Sequence, residues 1–238
     1  MGRATENAPK CLLEIAGRTL LDWQIAALRR AGIEQIAIVR GYRADSVTGP
    51  HLLLENSRWE STNMVRSLEQ ASDLLARGLC IVVYSDIAFH PEIITRLLGS
   101  DHEIAIAVDT RWRELWTLRF ENPLADAETL RLENGRVADI GARPRSYADV
   151  EAQYIGLTRL TPNGWNALRL ALATLPPADV DRLDITSLLR LAISRGQQVA
   201  AVPIEGRWCE VDSETDLASY ARLTSRMSGE LWSHDWRW

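Results

Sequence analysis

The first hundred residues alternate two hydrophobic rhythms. Residues 19–32 (TLLDWQIAALRRAG) place Leu21, Ile25 and Leu28 on one stripe, widened by Leu20, Trp23 and Ala27. That spacing predicts an amphipathic helix, closed by Gly32. The IAIV core of 33–42 predicts a buried strand, and 51–56 (HLLLEN) a second short one. Residues 61–77 read as another helix, with Met64, Leu68, Ala71 and Leu75 on one side. The clearest strand is 79–86 (LCIVVYSD), a continuous apolar run ending in Ser-Asp. Pro91 then opens a helix at its first turn, and 103–109 (EIAIAVD) is a further buried strand. Apolar strands separated by helices imply a mainly parallel sheet covered on both faces.

The texture changes at Arg111. LWTLRF, ETLRLENGRVADIG and EAQYIGLTRL read as strand-rich, and Asn134-Gly135 is a strong hairpin turn. Helical texture returns at 162–175, closed by Pro176-Pro177, and at 184–196, with Asp184 as N-cap and Gly196 as stop. QVAAVPI is a last strand. A final helix follows RWCEVD, where Ser213-x-x-Asp216 resembles a capping box loosely. The expected fold is α/β: a Rossmann-like, mixed but mainly parallel sheet flanked by helices, with an antiparallel hairpin excursion. Residues 1–228 form the main domain, and 229–238 (ELWSHDWRW from 230) an aromatic tail suited to docking, to a homodimer contact or to a frayed end.

Composition narrows the class. The chain has 238 residues, 46% hydrophobic, which is ample for a sizeable core. Its formal charge of -5 lacks the basic field of a nucleic-acid binder. No apolar run approaches a membrane span, and the N-terminus lacks a secretory pattern. Cys11, Cys80 and Cys209 are scattered and odd in number, as reduced thiols of a cytoplasmic protein would be.

In an open parallel sheet, ligands sit beyond the carboxyl ends of the strands. Asp86 follows such a strand, and the alternation Glu210-Val211-Asp212 puts two more acids on one side of another. Carboxylates from two strand ends suit Mg²⁺ held against substrate phosphates. Equally, Asp86 and Asp212 read as helix caps or solvated loop acids. Lys10, after Pro9, suits phosphate neutralisation beside a nucleotide, or is a surface lysine. Arg111, Arg113 and Arg119 interleave with Trp112 and Trp116. This cluster suits an anionic acceptor, or an alkylammonium held by cation–π attraction, or a surface hairpin with two packed tryptophans. Asn56 and Ser61-Thr62-Asn63 suit either base and ribose recognition or capping. There is no GxGxxG and no GxxxxGK[ST], and none of the four histidines has catalytic context.

Taken together, PKCLLEIAGRTLLDWQIAALRRAGI, Asp86 after LCIVVYS, and WCEVDSETDL resemble the nucleotidyltransferases of the sugar-nucleotide pyrophosphorylase superfamily. The finer pattern is similar to the cytidylyltransferase branch acting on phosphocholine and phosphonates. It is carried by Asn56 with Trp59-x-x-Thr62-Asn63-Met64, by DAETL at 126–130 and by QYIGL at 153–157. The resemblance implies Mg²⁺-dependent transfer of CMP from CTP to a small phosphonate or phosphate monoester, releasing pyrophosphate. It gives Lys10, Asp86 and Asp212 the catalytic roles, with Asp86 and Asp212 as metal ligands and Glu210 beside them. Lys10, Asn56, Thr62, Asn63 and Ser85 would bind the nucleotide. Arg111, Trp112, Trp116, Glu128 and Tyr154 would bind the acceptor. No nucleic acid or membrane partner is implied. In the family a strand and a glycine-rich loop precede Pro-Lys. Here the chain begins at Met1-Gly2-Arg3, so the domain is expected to lack that strand and most of the loop. The competing expectations are a sugar-1-phosphate transferase using another nucleotide and a non-catalytic nucleotide-binding homologue.

Overall fold

The computed structural model describes residues 5–6, 8–225 and 232–238. Met1-Gly2-Arg3 and the domain boundary at 228 lie outside these residues. After a short antiparallel pair, β1 (Glu14–Ile15) and β2 (Arg18–Thr19), comes helix α1 (Leu20–Arg30). Thr19 caps it by accepting from the Asp22 N–H, and Leu20, Trp23, Ala27 and Leu28 are buried, as the stripe requires. Strands β3 (Ala37–Arg40) and β4 (Leu52–Glu55) pair in parallel with each other.

Residues 61–77 form two short helices, α2 (Met64–Glu69) and α3 (Ser72–Arg77), rather than the single helix expected. The break falls at Gln70-Ala71, where the Ser72 hydroxyl takes the Glu69 carbonyl at 2.5 Å. Local side-chain bonding to the backbone competes with continuation of the helix there. Next come β5 (Cys80–Val83), β6 (Ile87–Phe89), α4 (Pro91–Leu98) and β7 (Ile104–Asp109).

The second correction concerns 111–120, expected as strand. It is helix α5 (Trp112–Arg119), which buries Trp112, Leu115 and Trp116. With Arg119 these positions follow the i, i+3, i+4, i+7 spacing of one helix face. The aromatic residues that favour strands locally are recruited to that face by tertiary packing. The Asn134-Gly135 hairpin forms as expected between β8 (Leu130–Glu133) and β9 (Arg136–Ile140). Then follow β10 (Gln153–Leu160), α6 (Pro162–Leu172), α7 (Pro177–Val180), α8 (Ile185–Ser194), β11 (Ala200–Ile204), β12 (Trp208–Glu210) and α9 (Glu214–Thr224). The loose capping signal at Ser213 is a complete capping box, with Asp216 as its carboxylate.

The main sheet has the order β5-β10-β7-β11-β9-β8. Strand β11 runs parallel to β7, whereas β10 opposes both β5 and β7, so β5, β7 and β11 share one direction. The fold is therefore the mixed α/β sheet expected, with the hairpin added antiparallel at one edge. Strand β7 shows the two-sided core directly. Ala105 and Ala107 pack with α1, α4, α5 and α9, while Ile104, Ile106 and Val108 pack with α6 and α8. The side of β5 away from β10 faces no strand among the described residues, and Ile81 and Val83 there stay partly exposed.

The tail is docked over 232–238. Trp236 is fully buried between Trp23 and Tyr220. His234 Nε2 lies 2.8 Å from Asp109 Oδ2, and both side chains are completely buried. Asp109 also accepts from Trp208 Nε1, Gly206 N and Arg111 N. The four donors satisfy an otherwise costly buried carboxylate. No helix among the described residues is long and apolar enough to cross a membrane. The three cysteines are free thiols.

Candidate active site

A small antiparallel ladder assembles the acids. Strand β6 starts directly after Asp86, strand β12 ends at Glu210, and the two pair with Ile87 opposite Glu210. One further bond, from Val211 N to the Asp86 carbonyl at 2.9 Å, carries the pairing past the strand ends. Residues more than a hundred positions apart in sequence thereby meet. Oxygens of Asp86, Glu210 and Asp212 lie within 4.8 Å of one another, the group of metal-competent side chains found among the described residues.

Two cations face these acids from different sides. Lys10, in the short turn Lys10–Leu12, donates to Asp212 Oδ1 at 2.6 Å and to Asp86 Oδ2 at 3.1 Å. Arg119, at the end of α5, donates to Glu210 Oε2 at 2.5 Å, to Asp212 Oδ2 at 2.6 Å and to Asp216 Oδ1 at 3.2 Å. Its side chain is wholly buried, with the guanidinium carbon 5.6 Å from the Trp116 ring centroid and 4.9 Å from that of Phe120. Asp216 meanwhile accepts from the N–H groups of Asp212 and Ser213, which ties the end of β12 to the start of α9.

Proton affinities follow from this crowding. Burial, with the charges of Asp212 and Asp86, pushes the Glu210 carboxyl up to about 8 against the pull of Arg119. Burial also works against the charged form of Asp212, but Lys10 and Arg119 more than offset it and hold that carboxyl below its usual value. Burial would lower Lys10, yet Asp86 and Asp212 leave its ammonium raised.

A hard divalent cation fits this donor set. Asp86 Oδ1 is buried and has no hydrogen-bond partner among the described residues, which is costly unless a ligand satisfies it. Three carboxylates at close range supply the oxygens that Mg²⁺ prefers.

Known proteins share this arrangement of chain. Residues 1–144 match the MobA-like NTP transferase domain. The chain belongs to that family. The CTP:phosphoglutamine cytidylyltransferase of Campylobacter jejuni is 34% identical over 234 residues, spanning 90% of this chain and 91% of that protein. The inositol-1-phosphate CTP transferase from T. maritima shares the fold at a TM-score of 0.70 with 16% identity, covering 94% of this chain and 91% of that one. CTP:phosphocholine cytidylyltransferase from Streptococcus pneumoniae does so at 0.66 with 19% identity, covering 93% and 92%. As an NTP transferase the protein is an enzyme, and the expected resemblance is upheld.

Of the residues singled out in the sequence of this NTP transferase, Lys10, Asp86, Glu210 and Asp212 come together. Ser85 is exposed beside Asp86. Asn56 is buried, and its amide donates to the hydroxyls of Thr62 and Ser67. Asn63 caps α2 and donates to the Arg182 carbonyl. Asn56, Thr62 and Asn63 therefore hold a loop in shape. Glu128 and Tyr154 lie with Tyr84, the residue two before Asp86. Tyr84 and Tyr154 meet edge-on with centroids 5.7 Å apart. Burial, with Asp184 nearby, raises the Glu128 carboxyl.

The tryptophans of the expected acceptor cluster are placed differently. Trp112 and Trp116 are 3% and 5% exposed, and Trp116 Nε1 donates to Asp126. Arg111 forks onto Glu114 at the surface, and Arg113 stacks on Tyr147. Arg119 belongs to the carboxylate site instead. Reading 111–120 as a helix is the signal that would have separated Arg119 from Arg111 and Arg113. The buried His234–Asp109 pair was missed too, because its partners are 125 residues apart.

Proposed function

We propose that this NTP transferase moves a cytidylyl group from CTP to an oxygen of a small phosphate- or phosphonate-bearing acceptor, releasing pyrophosphate. The convergence of Asp86, Glu210 and Asp212 with Lys10 carries this reading. Asp86 and Asp212 would hold the metal, with Glu210 as a further oxygen ligand. Magnesium bound there would neutralise and orient the phosphates of the nucleotide. Lys10 would exchange its bonds to Asp86 and Asp212 for bonds to phosphate oxygens. An acceptor oxygen attacks the α phosphorus, and the bond from that phosphorus to the pyrophosphate oxygen breaks. Because the nucleophile is already an anion, no protein base is required, and positioning and charge supply the catalysis.

CTP is favoured by the likeness, over nearly the whole chain, to an enzyme named for that nucleotide. We assign the acceptor side to Tyr84, Tyr154 and Glu128, which lie together. An aromatic pair with a half-buried carboxylate suits a head group that also bears an ammonium, as phosphoglutamine does. A pyrophosphate-release assay crossing CTP, UTP, GTP and dTTP with phosphoglutamine, 2-aminoethylphosphonate, phosphocholine and glucose 1-phosphate tests the assignment. Turnover should be confined to CTP with the ammonium-bearing acceptors. Preference for UTP or dTTP with glucose 1-phosphate would replace the reading by a sugar-1-phosphate transferase. Nucleotide binding without pyrophosphate release under any pairing would make the protein a non-catalytic homologue.

A further inference from the structure

We infer that Arg119 is the positioning residue of the carboxylate site, setting the orientation in which Glu210 and Asp212 meet a divalent cation. The inference rests on the metal role proposed above for those acids. Arg119 takes one oxygen from each, Oε2 of Glu210 and Oδ2 of Asp212, and leaves Oε1 and Oδ1 free of its own contacts. A hydrogen bond to one oxygen leaves the other as the freer ligand and restricts rotation of the carboxylate, with Lys10 the group a cation would replace at Asp212 Oδ1. Arg119 therefore biases both acids towards presenting Oε1 of Glu210 and Oδ1 of Asp212.

The guanidinium is itself immobile. Its side chain is fully buried and lies near the rings of Trp116 and Phe120. Its third contact, Asp216, is 3% exposed and holds the backbone N–H groups of Asp212 and Ser213. The chain of contacts runs from α5 through Arg119 to both acids, and through Asp216 to the backbone that carries Asp212. Neither Lys10, which is partly exposed, nor any other cation paired with these acids among the described residues has this fixity. A lysine at 119 would keep the charge but could not span three carboxylates, because it lacks the planar fork.

The distinguishing variant is therefore Arg119→Lys, with Mn²⁺ binding to the nucleotide-free protein read by electron paramagnetic resonance. Removing a group that orients metal ligands typically weakens metal affinity by about 10- to 100-fold, and that loss is expected here. The Mg²⁺ concentration for half-maximal pyrophosphate release should rise in parallel, with KM for CTP at saturating Mg²⁺ held within about threefold. Asp216→Asn, which leaves Arg119 in place but weakens the grip of residue 216 on Arg119 and on the N–H groups of Asp212 and Ser213, should give a smaller loss in the same direction. It serves as the measurement if Arg119→Lys does not fold. Unchanged Mn²⁺ affinity in a folded Arg119→Lys protein, or in Asp216→Asn where that alone folds, overturns the inference and leaves the carboxylate reading standing. Absence of Mn²⁺ binding in the wild-type protein brings down the carboxylate reading, and the inference with it.

Discussion

Replacing Lys10 by methionine should move metal binding and catalysis in opposite directions. The lysine ammonium is 2.6 Å from Asp212 and 3.1 Å from Asp86, so it occupies the ground a divalent ion would need. A bound ion would lie about 2.1 Å from its carboxylate oxygens, too close for the ammonium to stay. Metal entry in the free enzyme must therefore break two ion pairs. The lysine side chain is 34% exposed and Asp212 39%, so each pair is solvent-screened and contributes about 0.5–1 kcal/mol. Methionine removes that penalty of about 1–2 kcal/mol, which corresponds to roughly 5- to 30-fold tighter Mn²⁺ binding without nucleotide. On the proposed reading the lysine would leave the carboxylates for the phosphates when CTP binds, so the same substitution should lower kcat by about 100-fold or more. The metal-free protein should also melt earlier, since three acids then face one another with Arg119 alone to balance them. Isothermal titration with Mn²⁺ and a pyrophosphate-release assay read both halves. Weaker or unchanged Mn²⁺ binding in Lys10→Met would refute the idea that the lysine and the metal exchange places.

Asp86→Asn and Asp212→Asn should each reduce kcat at least about tenfold, equivalent to roughly 1.4 kcal/mol, while circular dichroism stays native; activity within a factor of two would remove them from the metal site. Because the Glu210 carboxyl is pushed up to about 8, metal must displace a proton below that pH, so Mn²⁺ affinity should climb from pH 6 and level off above 8. The same raised value means that Glu210 contributes stability to the metal-free fold at low pH and loses it as pH rises through about 8. A flat affinity profile, read by titration at stepped pH, would contradict this. Trp236→Ala empties a fully buried site between Trp23 and Tyr220 and should cost about 3–5 kcal/mol, seen as a fall in Tm of order 10 °C by calorimetry. Gly156→Ala forces a Cβ to within 2.6 Å of the Tyr84 ring at a φ of +79°, so it should displace Tyr84 and raise KM for the acceptor more than for CTP; equal changes would separate Tyr84 from the acceptor.

Local chemistry in the sequence was enough wherever one segment decides its own structure. The stripe of α1 with its Thr19 cap, the helix opened by Pro91, and the Asn134-Gly135 hairpin all depend on residues within a few positions of one another. Asp86 and Asp212 stood out as acids just past the ends of apolar runs, but the pattern alone left them open to capping or loop roles, and the family resemblance singled them out. What the sequence by itself did not determine lies in contacts between distant segments. Residues 111–120 carry aromatic residues suited to a strand together with a helical spacing at 112, 115, 116 and 119, and burial of Trp112, Leu115 and Trp116 decides for the helix. That selection delivers Arg119 to acids more than ninety positions away. His234 finds Asp109 in the same way, because a buried carboxylate must collect donors from whatever chain folding brings past it. Propensity and period act over a few residues, whereas the desolvation of a charge is settled only when the whole core has closed around it.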